Sequence, residues 1–219
     1  MTKKYSLTEV TKEWFGKTLF QIKAEISFGS IMKGEVGGYI EKEENLSQEK
    51  NAWVSGDAQV SGNAQVYGNA WVYGDAQVYG NAQVYGNAQV SGDAQVSGDA
   101  QVYGDAQVYG NAQVYGNARV YGDAQVYGNA QVYGNAWVSG DAQVSAKASF
   151  TKGKFIGGSD SDKFTNITDK TGSTYWKNQY VLGDYEITPI EEEKVVEKSL
   201  KGKKVSVELD GVKYEAIIQ

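Results

Sequence analysis

Seven aspartates, Asp57, Asp75, Asp93, Asp99, Asp105, Asp123 and Asp141, are the residues of the central segment best suited by type to acid–base work or cation binding. Two sets recur at intervals of 18: Asp57, Asp75 and Asp93, then Asp105, Asp123 and Asp141. Paired carboxylates can act as general acid and base. Each of these, however, opens the same six-residue phrase and alternates there with Asn, the behaviour of a turn position. The chain has no His and no Cys, so imidazole and thiolate chemistry are absent. No complete Gly-x4-Gly-Lys-Ser/Thr phosphate cradle occurs, because Thr11 stands where the loop's first glycine would precede Gly16-Lys17-Thr18. "GGSDSDK", residues 157 to 163, has the acidic flavour of a calcium loop but lacks the remaining ligands, and reads as a solvated loop. No catalytic residue, cofactor or metal is expected. What remains is aromatic: Trp53, Trp71, Trp137 and the series Tyr67, Tyr85, Tyr103 and Tyr121, again 18 apart, could form platforms. Arg119, the one basic residue between Asn51 and Ala146, could pair with a phosphate or simply replace a Gln.

These side chains are positioned by a phrase written [N/D]-A-x-V-[Y/S]-G, repeated sixteen times from Asn51 to Ala146. Ala and Val stand two apart, so they share one side of a short strand while the middle residue faces the other. Gly and Asn/Asp follow at once, and they accept the tight corners that end it. Helix is excluded, because Gly at every sixth position is costly and an apolar period of six fits no helical face. Short strands joined by corners of one sense wind into coils whose neighbours pair in parallel.

Units such as "NAQVYG" and "DAQVSG" resemble the hexapeptide repeats of left-handed parallel β-helices. The likeness covers 96 of 219 residues and departs in one place, having Tyr or Ser after the aliphatic where that family often has a small residue. It implies an all-β fold in which three hexads make one triangular turn. On that register the valines from Val54 to Val144 stack inside with the alanines, the four tyrosines form a ladder, and Trp53 and Trp71 sit one turn apart. The aspartate columns should repel, with adjacent Asn or bound cations relieving them.

The flanks read as caps for the two open ends of the stack. Residues 1–50 form an N-terminal β cap, with a strand at "TLFQIKA" and Phe20, Ile22, Ile26, Phe28 and Ile40 as its core. The repeat body spans 51–150, where Phe150 replaces Val and plugs the last coil. Residues 151–219 form a C-terminal module of loops and strands. It contains a helix at about 189–201, capped by Thr188 and stopped at Gly202, and a hairpin over 203–218 turning at Asp210-Gly211.

The net charge of −6 resides between Asn51 and Ala146, because the residues outside that stretch hold 20 basic and 20 acidic side chains. A basic nucleic-acid patch is therefore not expected there. No apolar run reaches the roughly 18 residues of a membrane span, and "MTKKYSLTEV" is unlike a signal peptide. A cytoplasmic protein is the expectation. Sequons at Asn45 and Asn166 carry no weight without secretion.

β-Helices of the left-handed family are often trimeric acyltransferases or carbonic anhydrases that depend on His, so neither mechanism transfers to a chain without His. The lead-in "GEVGGYIEKEENLSQEKNAWVSGDAQV" with runs of "GNAQVYG" is similar to hexapeptide-repeat proteins of bacteriophages and prophages of Gram-positive bacteria. That resemblance implies a non-enzymatic interaction protein, homotrimeric as in the β-helix family, that binds a host protein and inhibits or sequesters it in a counter-defence role. Three alternatives stand beside it. One is an acidic DNA mimic, although duplex DNA carries about one charge per 1.7 Å against roughly one per 3.6 Å for seven aspartates on a prism of about 25 Å. Another is a nucleotide or small-molecule sponge between subunits using Arg119. The last is a β-helix enzyme acting on glycan or acyl groups, with Trp53, Trp71 and the tyrosines as platforms.

Overall fold

The computed structural model describes residues 3–144 and the backbone of strands Ser149–Ile156, Lys204–Leu209 and Val212–Ile217. The chain divides into two compact units, Met1–Gly183 and Asp184–Gln219.

The first unit is a parallel β-solenoid. Each hexad contributes a two-residue strand at its middle residue and Val, such as Gln89–Val90, which pairs in parallel with Trp71–Val72 on one side and Gln107–Val108 on the other. Every regular pairing is offset by 18 residues, so three hexads close one coil. Three N–H groups per hexad donate to the next coil, as in Asn87 to Gly104 O at 2.7 Å, Gln89 to Ala106 O at 2.9 Å and Ser91 to Val108 O at 2.9 Å. Ala and Val from Ala52 to Val144 are fully buried, which makes one continuous apolar column. The glycine corners have positive φ, and a Cβ on Gly86 (φ +74°) would lie 2.8 Å from Gly104 N. Only glycine permits coils to stack that closely.

The strands fall into three stacks, each with its outward side chains forming one face. The first face carries Trp53, Trp71, Gln89, Gln107, Gln125 and Gln143. Gln59, Gln77, Gln95, Gln113 and Gln131 lie on the second face. The third carries Gln65, Gln83, Gln101, Arg119 and Trp137.

The N-terminal segment opens with an antiparallel hairpin, β1 (Tyr5–Trp14) and β2 (Lys17–Ala24), turned at Phe15 and Gly16 with both φ values positive. Strand β3 (Val36–Ile40) pairs antiparallel with β2 and parallel with the second face, Tyr39 opposite Gln59 and Ile40 opposite Val60. Leu46 then bridges Val66. Ile40, Leu46 and Val54 therefore trace an irregular leading coil, its spacing stretched between Leu46 and Val54. Asn45, a sequon residue, is fully buried within it and donates to Gly62 O (3.1 Å) and Ala64 O (2.8 Å). Glu41 fastens this coil: burial raises its pKa, but hydrogen bonds from Lys17 Nζ (2.7 Å) and Gly62 N (2.6 Å) outweigh that and hold it below the ordinary range. Among the expected cap-core residues, Ile22 and Ile40 are fully buried and Phe28 packs against the core, whereas Phe20 is half-buried and Ile26 is exposed. Tyr5, Leu19, Ile31 and Leu46 complete the core instead.

At the other end strand Gln131–Ser139 crosses from the second face to the third and pairs with Ser149–Ile156. The offset is 18 at Gln131–Ser149 and 17 at Ser139–Ile156, so one corner residue is lost and the regular period ends. Phe150 is in register with Val132. In the second unit Lys204–Leu209 and Val212–Ile217 pair antiparallel, Leu209 opposite Val212. The expected helix at 189–201 and the loop at 157–163 lie outside the described residues.

Candidate binding surface

The third face orders its aromatic residues most. Tyr67, Tyr85, Tyr103 and Tyr121 stack with centroids 4.8, 4.8 and 4.9 Å apart and planes within 4°. The separation is the strand spacing, so the backbone imposes the ladder. Shorter stacks join Tyr109 to Tyr127 and Tyr115 to Tyr133. A tyrosine hydroxyl leans over the middle residue of the coil above, as Tyr67 Oη does toward Gln83 Oε1 at 3.4 Å. Burial raises the phenol pKa of Tyr67, Tyr85 and Tyr103; neighbouring tyrosines raise Tyr67 and Tyr103 further, while the Arg119 charge opposes the rise at Tyr85 and Tyr103.

Arg119 and Trp137 share a column, and the guanidinium carbon lies 4.9 Å from the Trp137 ring centroid. That is a cation–π contact. Among the described residues Arg119 has no ion pair. The ladder thus terminates beside the one cation between Asn51 and Ala146.

The aspartates stand exposed at corners, in the columns the 18-residue register predicts. Amides partly relieve them: Asn63 donates to Asn81 and Asn81 to Asp99 (3.2 and 2.9 Å), while Asn69 donates to Asn87 and Asn87 to Asp105 (3.1 and 2.9 Å). An aspartate accepts but cannot donate onward, so it ends such a chain. Among the described residues no three acidic, His or Cys groups converge as metal ligands.

On the first face the two tryptophans differ. Trp53 is 1% exposed, packed edge-on by Phe28 (5.4 Å) and Tyr5 (6.4 Å), with Nε1 unpartnered. It belongs to the cap core and offers no platform, which corrects its expected place on the surface. Trp71, one coil on, is half-buried in a groove of about 490 Å³ with Ser55, Asn69, Tyr73, Asn87 and Gln89. On the second face, Trp14 at the hairpin end sits 5.5 Å from Tyr79, and Phe15 beside it is 85% exposed.

Sequence reading missed the burial of Lys4. Its ammonium donates to Ala52 O (2.9 Å) and lies 4.9 Å from the Phe28 ring, and burial pushes its pKa down to about 8. No local pattern announces it, since its partners come from residues 28 and 52.

Stacked parallel coils, a valine–alanine core and outward ladders define a repeat β-solenoid protein. The family described as YdcK beta solenoid repeat matches residues 58–74, 64–80, 76–92, 82–98, 88–104, 112–128, 124–140 and 130–146. These windows start at multiples of six residues from one another and each spans nearly one coil, so the similarity follows the same repeat. A search of the curated proteins found no match.

Proposed function

We infer that the protein is a non-enzymatic interaction protein: a rigid β-solenoid that associates with copies of itself, in the first instance as a trimer, and binds a host protein through the third face. The observation that carries this reading is the ladder Tyr67–Tyr85–Tyr103–Tyr121 running alongside Arg119 on Trp137. Tyr, Trp and Arg are the residues enriched where interfaces draw their energy. Rings already stacked lose little side-chain freedom on binding, which lowers the entropic cost. The lead-in and repeats support a phage-type origin, with inhibition of a host defence factor in the host cytoplasm as the specific role.

Size exclusion with light scattering reads the assembly, and a clean monomer at high concentration removes the trimer. Affinity capture from host lysate reads the partner. The double variant Tyr85→Ser/Tyr103→Ser keeps residues the repeat already uses at that position, so it should fold and lose the captured protein. Undiminished capture by the folded variant places the partner elsewhere.

Sequestration of a small anion is the second reading, favoured by the absence of an ion-pair partner for Arg119 among the described residues. Titration with inorganic phosphate tests it, with Arg119→Gln as the control that must abolish binding.

A further inference from the structure

We propose that the groove on the first face is a saccharide site that takes a neutral pyranose against Trp71, separate from the third-face surface assigned to a protein partner.

The groove exists because the aromatic column is interrupted. Tyr73 has Ser55 one coil before it and Ser91 one coil after, so no neighbouring ring stacks on it. The same interruption occurs on the second face, where Ser61 and Ser97 flank Tyr79. There the chain places its own Trp14 edge against Tyr79 at 5.5 Å. Beside Tyr73 the equivalent notch remains an open groove of about 490 Å³. That volume falls within the roughly 300–1,000 Å³ of small-molecule sites, which suits a sugar of one or two rings rather than a protein segment.

The lining selects the chemistry. Trp71 supplies one flat apolar surface, and the remaining walls are neutral hydrogen-bonding groups: Ser55, Asn69, Tyr73, Asn87 and Gln89. Several are held in place by one another. Asn69 donates to Asn87 at 3.1 Å, Asn87 donates to Asp105 at 2.9 Å, and the Tyr73 hydroxyl donates to Gln89 Oε1 at 3.3 Å. These contacts leave the Trp71 indole N–H, the Gln89 amide N–H groups, the Ser55 hydroxyl and the Asn69 carbonyl oxygen for a ligand. Donors and acceptors interspersed around one aromatic face match a pyranose, which has an apolar C–H face and hydroxyls at its rim. No cation and no carboxylate lines the groove, which disfavours charged ligands.

The test is titration of the full chain with cellobiose, maltose and diacetylchitobiose, followed by calorimetry and by the Trp71 indole N–H signal in NMR. At least one sugar should bind saturably and shift that signal. Ser55→Tyr should weaken binding at least tenfold without unfolding the chain, because it fills the groove by extending a tyrosine column the fold accepts elsewhere. Trp71→Gln, which installs the commonest residue at this hexad position, should do the same by removing the platform. Tyr85→Ser/Tyr103→Ser should leave sugar binding unchanged, so failure of the third-face reading and failure of this one are distinguishable. Parallel co-sedimentation with insoluble chitin and cellulose separates a polymeric glycan from a free sugar as the source. Absence of binding to all three disaccharides and both polymers overturns the proposal, as does binding that survives both groove variants.

Discussion

Single residues set what this fold tolerates, and glycine is the sharpest case. A Cβ on Gly86 would meet Gly104 N at 2.8 Å and Gly104 O at 2.9 Å, both backbone atoms that cannot swing aside. Gly16 has a nearly identical φ of +73°, but a Cβ there would meet nothing within 4 Å. Gly86→Ala should therefore cost about 2–4 kcal/mol and Gly16→Ala only about 1 kcal/mol, both read from urea unfolding midpoints. Lys4 makes the second residue-scale expectation. Its folded pKa of about 8 lies below its unfolded value, so between roughly pH 8 and 10.4 the unfolded chain binds more protons and stability rises with pH. The raised phenol pKa values of Tyr67, Tyr85 and Tyr103 act oppositely. Their contribution is present below about pH 10, the unfolded tyrosine value, and is lost as pH climbs through the raised folded values. Unfolding midpoints should climb from about pH 8 and turn downward above about pH 10, and Lys4→Met should remove the climb.

At the scale of the coil, the outward columns decide how well neighbours cohere. Stacked tyrosines attract, each pair contributing about 0.5–1.5 kcal/mol. Asp57, Asp75 and Asp93 follow one another with no amide between them, whereas Asn81 donates to Asp99 in the adjacent column at 2.9 Å. Asp75→Asn would reproduce that donor beneath Asp93 and remove a like charge from its neighbours. It should stabilise the solenoid by about 0.3–1 kcal/mol. Because the charges are exposed, the gain should shrink in about 1 M salt, where the Debye length falls to about 3 Å. Thermal unfolding at low and high salt measures both effects. The 18-residue register made these columns legible in the sequence alone, since each follows by counting. The groove was equally countable from Ser55, Tyr73 and Ser91, but its being open depends on what the rest of the chain leaves uncovered.

For the molecule as a whole, the hexads are nearly interchangeable in energy but not in place. Deleting residues 87–104 removes one complete coil and keeps Arg119 and Trp137 on the third face above Tyr67 and Tyr85. Deleting residues 87–92 removes one hexad, which still permits folding but turns Arg119 and Trp137 onto the second face, beneath which the N-terminal hairpin is attached. Both proteins should unfold cooperatively by circular dichroism. Only the full-coil deletion should retain a partner captured through the third face. Retention in both would show that composition suffices and that the relative placement of ladder and cation is irrelevant.

The solenoid itself was determined by the sequence, because everything that builds a coil lies within six residues. Ala and Val alternate inward, Gly turns the corner, and repetition carries the rule from Ala52 to Val144. The pairing of Arg119 with Trp137 and the Tyr67–Tyr121 ladder follow from the same count. Which surfaces remain open was decided only in three dimensions. Tyr5 and Phe28 close over Trp53, and Trp14 reaches Tyr79. Each of these contacts joins a residue of the N-terminal segment to a distant residue of the repeat, so no period could signal that one tryptophan would be buried while its neighbour one coil away stayed at the surface.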